Sequence, residues 1–146
     1  MTTDIISAAR GWIGTPFAHQ ASRCGVGCDC LGLLRGVWRD CFGGEPEIPP
    51  PYAPDWSVTG AERLRDGLAR HLAAVPLAAM APGDIALFRL ATHGPAQHCG
   101  IVGTRDGAFT LIHARQNGRV REEPFSPFWQ SRLAFLFRLP IAAGDA

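Results

Sequence analysis

The sequence of 146 residues has no long apolar run, no surplus of one charge and no secretion signal. Because a membrane-spanning helix needs about 20 consecutive apolar residues, the missing run excludes a spanning segment. The 14 basic and 13 acidic residues nearly cancel, and they form neither a basic stripe for nucleic acid nor a polybasic membrane-binding segment. Residues 1–14 lack the pattern of a signal peptide, so we expect synthesis in a cytoplasm without export. No nucleic-acid partner and no membrane partner is predicted.

A complete disulfide framework is also missing, because the five cysteines are an odd number. Structural zinc sites use paired short spacings separated by a longer gap. Here three cysteines crowd into one loop, and a fourth follows about three helical turns later. The pattern favours reduced thiols and no metal or other cofactor, with a zinc or iron–sulfur site as the alternative. The cysteines concerned are Cys24, Cys28, Cys30 and Cys41.

The chain is long enough to bury a core without cross-links, and we predict a single domain over residues 1–146. Helical patterns fill its first half, and short apolar runs separated by turns fill the second. This order predicts an α+β fold in which N-terminal helices pack on a C-terminal antiparallel β-sheet. The proline-dense segment Glu45–Trp56 is predicted to be an extended loop.

Three helices and five strands are predicted from periodicity and from start and stop signals. The third helix is expected to open with a capping box formed by Thr59 and Glu62. A turn or short helix is predicted at Phe125–Gln130. The predicted helices are Thr3–Ile13, Cys30–Cys41 and a third ending near Ala74. The predicted strands are Ile85–Leu90, His98–Thr104, Ala108–His113, Gly118–Glu123 and Leu133–Leu139.

The most informative segment is a glycine-hinged loop that leads into the helix beginning at Cys30. Asp29 is a preferred N-cap residue type, and it fixes the helix start beside that cysteine. The unpaired N–H groups and the positive end of the helix dipole favour a thiolate there, and the thiolate is the nucleophilic form. Cys30 is therefore a candidate nucleophile. The alternative is a small buried residue, which is the usual role of a free cysteine.

A catalytic cysteine needs a base and a third group that orients the base. His98 begins one predicted strand and His113 ends the next, and Asp106–Gly107 between them is a strong hairpin signal. A three-residue turn would put the two histidines on opposite faces of the sheet, whereas a two- or four-residue turn would put them on the same face. The residue pattern of the two strands favours the second arrangement, and we predict that His98 and His113 lie on the same face of the sheet. The alternative for each strand histidine is a structural role, and His93 in a loop is expected to be exposed.

Five segments occur in the order found in a known enzyme family, and they extend from about Ala9 to Pro140. They are Ala9–Phe17, Gly27–Leu33, Pro82–Ile85, His98–Val102 and Ile112–Ala114. With these segments the chain resembles the NlpC-type cell-wall peptidases, a papain-like family of cysteine hydrolases, and especially the branch found in phage and phage-like tails. The resemblance implies the papain-like NlpC-type fold.

The resemblance also implies a role for each candidate residue. The nucleophile falls on Cys30, the general base on His98 and the orienting residue on His113. Backbone N–H groups at the helix start, including that of Cys30, are expected to form the oxyanion hole. The residues expected to line the site are Asp29, Cys30, Phe17 and His19.

The implied activity is hydrolysis of an amide bond in a peptidoglycan stem peptide, next to a D-glutamyl residue. Many members of the family have a tyrosine where Phe17 stands and a serine where Leu31 stands, at positions linked to recognition of the stem-peptide amine. The branch implies incorporation into a phage-like tail particle, with the tail hub or other tail proteins as partners. The alternatives are a structural tail component with little or no activity, and a related amidase or acyltransferase.

Overall fold

The computed structural model describes residues 4–49, 62–91 and 93–140. Within these ranges, helices occupy mainly the first half and strands the second, as predicted for an α+β fold. The helices are α1 (Ile5–Arg10), α2 (Cys30–Phe42), α3 (Arg63–Ala69) and α4 (Pro127–Arg132). The strands are β1 (Ser22–Arg23), β2 (Gly27–Cys28), β3 (Ala73–Val75), β4 (Ile85–Phe88), β5 (His98–Arg105), β6 (Ala108–Ala114), β7 (Val120–Pro124) and β8 (Leu133–Arg138).

Six strands form one antiparallel sheet in the order β3-β8-β4-β5-β6-β7, while β1 and β2 form a separate small hairpin. Each sheet face has its own core, because side chains alternate along a strand. One face, which includes Ile101 and Ile112, packs against α1 and α2. The opposite face, which includes Val102 and Leu111, packs against Phe125 and Trp129. We call these the α2 face and the α4 face.

The predicted helix starting at Cys30 is confirmed, with Asp29 as its N-cap and Gly43 at its end in the left-handed conformation (φ 88°). The first predicted helix is shorter than expected. It begins after the N-cap Asp4 and ends at Arg10, and Thr3 lies outside the described residues. Within the described ranges, no helix is both long enough and apolar enough to cross a bilayer.

The predicted end of the third helix near Ala74 is wrong. Helix α3 ends at Ala69, and Ala73–Val75 forms the edge strand β3 against β8. The reason is tertiary: β8 has backbone hydrogen-bonding groups on that side, and pairing with them outweighs a weak local preference for helix. The N-cap of α3 is Glu62, whose side chain makes no capping hydrogen bond. Thr59 lies outside the described residues, as do residues 50–56 of the predicted proline-dense loop.

All five predicted strands are present, with ends shifted by one or two residues. The β5–β6 connection is a two-residue turn, because Arg105 pairs with Ala108. Asp106 and Gly107 both have positive φ (54° and 81°), which is the signature of a type I′ turn. The hairpin therefore does not have the three-residue turn that would have put the two histidines on opposite faces.

This register places His98 and His113 on the same face, as predicted. Ile101 pairs with Ile112, so the next position along the ladder sets Gly100 opposite His113. His98 is two residues from Gly100 and is therefore the diagonal neighbour of His113. A Cβ atom on Gly100 would lie 3.0 Å from the Cβ of His113. Glycine at position 100 thus provides the space that the His113 side chain occupies.

Candidate active site

The start of α2 is held by the Asp29 side chain. One carboxylate oxygen accepts the backbone N–H of Gly32 at 2.7 Å, and the other accepts that of Gln20 at 2.7 Å. Gly32 allows the preceding loop to lie against the helix, because a Cβ there would overlap the carbonyl oxygen of Ala21. The N–H groups of Cys30 and Leu31 belong to the first turn, which has no intrahelical acceptors. N–H groups at this position of a helix are suited to hold a developing oxyanion.

Cys30 is partly exposed and lies where β5 begins. Two consecutive residues of that strand contact it from opposite sides of the sheet, His98 on the α4 face and Cys99 on the α2 face. Hydrogen bonds from Cys99 and from His98, together with the charge of the imidazole, lower the pKa of Cys30 well below the usual thiol range. Burial and the Asp29 carboxylate oppose this effect without reversing it. The site therefore favours the thiolate.

His98 and His113 are joined by a hydrogen bond of 2.8 Å between His98 Nε2 and His113 Nδ1. Both residues are buried, and His113 is fully so. Burial, reinforced by the neighbouring His98, lowers the pKa of His113 to about 4. Because the Nε2 atom of His98 is engaged by His113, its Nδ1 atom is the nitrogen left to exchange a proton with Cys30.

The line of hydrogen bonds continues beyond His113 to Glu123 on β7. The His113 Nε2 atom lies 2.6 Å from Glu123 Oε2. Arg121 Nε lies 3.2 Å from the same carboxylate oxygen. Cys30, His98, His113 and Glu123 thus form one connected array that starts at the Cys30 sulfur and ends at a carboxylate.

Trp129 of α4 covers the two histidines. Its ring stacks on His98 with centroids 5.5 Å apart, and it meets His113 edge-on at 4.9 Å. Trp129 is itself buried, since only 5% of its surface is exposed. The indole therefore keeps water away from the hydrogen bond between the imidazoles, which strengthens that bond.

The structure brings together the three residues predicted to carry the chemistry, Cys30, His98 and His113. The other predicted site-lining residues, Asp29, Phe17 and His19, have different surroundings. Asp29 anchors the helix start, and Phe17 is bridged to Cys28 and packs against the core on the α2 face. His19 is exposed on the turn before Gln20.

Three residues of the site were not predicted from the sequence: Cys99, Glu123 and Trp129. Glu123 lies in a predicted strand, but the sequence does not show which face of the sheet its side chain is on, because that depends on the length of the β6–β7 turn. Cys99 points into the core on the α2 face, where it is fully buried. His93 is exposed in its loop, as expected.

The other cysteines differ chemically from Cys30. All five are free. Burial raises the pKa of Cys28 to about 12, which keeps this thiol protonated although it is only two residues from Cys30.

Among the described residues, no group of three or more histidine, cysteine, aspartate or glutamate side chains is arranged to hold a metal ion.

Comparisons with known proteins identify the fold. Searches with family models and with curated protein sequences found no match. Among solved structures, the NlpC/p60 domain of the peptidoglycan hydrolase SagA superposes with a TM-score of 0.59 at 18% identity, covering 93% of this chain and 97% of that one. The fold is that of an NlpC/p60 domain. The predicted papain-like NlpC-type architecture is thereby confirmed.

Two longer NlpC/p60 proteins are similar as well. One from Bacillus cereus ATCC 10987 has a TM-score of 0.65 at 21% identity and 94% coverage of this chain. A protein similar to a lipoprotein, of the NLP/P60 family, from Staphylococcus aureus subsp. aureus Mu50 has a TM-score of 0.61 at 18% identity and 93% coverage. This chain spans only 41% and 40% of their lengths, so the NlpC/p60 fold accounts for one part of each.

Proposed function

We propose that this protein is a cysteine peptidase that hydrolyses amide bonds in peptidoglycan. The observation that carries the proposal is the Cys30 thiol, whose pKa is lowered by Cys99 and His98, next to a base held by His113. The NlpC/p60 fold supports the choice of substrate, since SagA with the same fold is named a peptidoglycan hydrolase. The sequence resemblance described above supports it independently.

The mechanism follows from the array. His98 Nδ1 takes the proton of Cys30, and the thiolate attacks the carbonyl carbon of the scissile amide. The tetrahedral oxyanion is held by N–H groups at the start of α2. His98 then returns the proton to the leaving amine, which gives an acyl-enzyme on Cys30. A water molecule, deprotonated by His98, hydrolyses the thioester and restores the free thiol.

The finer assignment is cleavage next to a D-glutamyl residue, as in a D-glutamyl–diamino acid endopeptidase. The motif resemblance supports it. We also propose that the protein is incorporated in a phage-like tail particle and contacts the tail hub or other tail proteins. The support for this part is the resemblance to the tail branch of the family.

The proposal is tested by incubating the purified protein with peptidoglycan and identifying the released fragments by mass spectrometry. We expect new amino termini within the stem peptide, and the fragment masses report which bond is cut. Cys30→Ala should abolish cleavage, while Cys24→Ala, at an exposed cysteine in the same loop, should retain it. Equal activity of Cys30→Ala and the unmodified protein would refute the proposal.

A further inference from the structure

We propose that Glu123 is a positioning residue that fixes which nitrogen of His113, and through it which nitrogen of His98, carries the proton. The inference rests on the proposed cysteine-peptidase function and adds a member to its machinery. It is based on the two consecutive hydrogen bonds that link His98 to His113 and His113 to Glu123.

A pair of histidines is ambiguous by itself. In a neutral imidazole one nitrogen donates and the other accepts, so a bond between two such rings can run in either direction. One direction leaves His98 Nδ1 with a lone pair facing Cys30, ready to accept the thiol proton. The other puts the proton on His98 Nδ1, where the ring cannot act as a base towards Cys30. A third group has to select the direction.

Glu123 is such a group, because an ionised carboxylate can only accept hydrogen bonds. Burial of Glu123 raises its pKa, but hydrogen bonds from His113 and Arg121 outweigh burial and lower it below the usual carboxyl range. Glu123 is therefore ionised at neutral pH. The His113 nitrogen that faces it, Nε2, has to carry a proton in order to make the bond of 2.6 Å.

His113 has only one proton to place, because its pKa of about 4 keeps the ring neutral at pH 7. With that proton on Nε2, the Nδ1 atom of His113 has a lone pair and accepts the hydrogen bond from His98. His98 Nε2 therefore donates, and His98 Nδ1 is the nitrogen that exchanges its proton with Cys30. The proton position on His113 thus determines the proton position on His98, and Glu123 determines the position on His113.

The sheet places Glu123 for this task. His113 pairs with Arg121 and Leu111 pairs with Glu123, so Glu123 is the diagonal neighbour of His113 on the same face. The charged and titratable groups that face His113 are His98 on β5, Glu123 on β7 and Arg115 beyond the end of β6. Arg121, whose side chain is about half exposed, donates to the same oxygen of the Glu123 carboxylate as His113 does. Helix α4 contributes the uncharged ring of Trp129.

The direct test is the tautomeric state of the histidines, measured by NMR on protein labelled with 15N in histidine. In the unmodified protein we expect His113 to be protonated at Nε2 and bare at Nδ1. In Glu123→Ala and Glu123→Gln we expect His113 to populate both tautomers, because the first removes the acceptor and the second can also donate. A single Nε2–H tautomer in both variants would overturn the proposal.

The kinetic test separates positioning from mere support of the fold. For Glu123→Gln we expect kcat on peptidoglycan to fall at least about tenfold with KM unchanged, because a base in the wrong tautomer cannot take the thiol proton. Glu123→Asp, which keeps the carboxylate, should restore part of the loss. Unchanged kcat in both Glu123→Gln and Glu123→Ala would also overturn the proposal.

The matched control is Glu122→Gln, the same substitution one residue away. Glu122 lies on the opposite face of β7 and binds Arg10, Arg105 and Thr110. It should leave the histidine tautomers and kcat unchanged. The NMR measurement needs no substrate. If the unmodified protein fails to cleave peptidoglycan, the proposed function fails, whereas the tautomers still decide the role of Glu123.

Discussion

Cys99 has two acceptors on Cys30 for its single S–H: it donates to the Cys30 carbonyl oxygen at 3.4 Å, and it can instead donate to the Cys30 sulfur when that sulfur is a thiolate. Because neighbouring strand residues point to opposite faces, His98 and Cys99 bracket the candidate nucleophile from the two sides of the sheet. The two cysteines respond in opposite ways. The hydrogen bond lowers the pKa of Cys30, and the same bond together with burial raises that of Cys99. Cys99 is a donor to the thiolate.

Cys99→Ala removes this donor, so the pKa of the Cys30 thiol should rise. A hydrogen bond to a charged group is worth ~1.5–3 kcal/mol, which corresponds to a pKa increase of at least about 1. The measurement is the ultraviolet absorbance of the thiolate across pH, corrected with Cys30→Ala. Cys41→Ala serves as the control at a cysteine outside the site. An unchanged titration in Cys99→Ala would contradict the assignment of Cys99 as a donor.

His113 should make the protein sensitive to mild acid. The unfolded chain binds a proton at this histidine near pH 6.5, whereas the folded protein does so only near pH 4. Stability is therefore intact above pH 6.5 and is lost as the pH falls towards 4, by about 2–3 kcal/mol in total. Urea unfolding at pH 7 and pH 4.5 measures the loss. His113→Asn, which does not titrate, should lose less between these two pH values, and an identical loss in both proteins would contradict the assignment.

Gly100→Ala should displace His113. The added Cβ would lie 2.6 Å from Leu111 Cδ1 and 3.0 Å from the His113 Cβ, which are contacts too short for a packed core. Overpacking of this kind costs about 1–3 kcal/mol, and kcat should fall with it because the His98–His113 bond is disturbed. Thermal unfolding and peptidoglycan cleavage report the two effects. Gly44→Ala meets no atom within 4 Å and should change neither. Equal thermal stability and equal cleavage activity of the two variants would contradict the close contact between residue 100 and His113.

Trp129→Ala should reduce both stability and activity. Removing a buried indole costs about 3–5 kcal/mol and opens the hydrogen bond between the histidines to water. Phe128→Ala is the matched comparison, because Phe128 is 51% exposed and adjacent on the same helix. Its cost should stay below about 1 kcal/mol. Urea unfolding compares the two variants directly, and equal losses would mean that Trp129 does not cover the site as described.

The parts of the site that could be predicted from the sequence are those encoded locally. Three features depend only on neighbours within a few residues: the N-cap Asp29, the helix beginning at Cys30 and the Asp106–Gly107 hairpin. The shared face of His98 and His113 also followed, because a two-residue turn sets the register of the entire hairpin. Local chemistry and one short turn were sufficient to bring these histidines together.

What could not be predicted depends on contacts between distant parts of the chain. Glu123 reaches His113 only through the β6–β7 register, and the turn between those strands carries no signal as strong as Asp-Gly. Trp129 depends on how α4 packs over the sheet. Ala73 and Ala74 of strand β3 lie within the predicted third helix, because the edge of β8 that pairs with this strand is more than 50 residues away in sequence and sends no local signal. Backbone pairing over such distances leaves no mark in local periodicity.

The central claim is that Cys30 and His98 form one reactive pair, and the pH dependence of Cys30 alkylation tests it most directly. Rates with iodoacetamide should be compared between the unmodified protein and His98→Gln, with the modified residue identified by mass spectrometry. We predict that the unmodified protein reacts with a midpoint well below the ordinary thiol value of about 8.5, and that His98→Gln shifts this midpoint upwards. The same midpoint in both proteins, close to that of an ordinary thiol, would contradict the account.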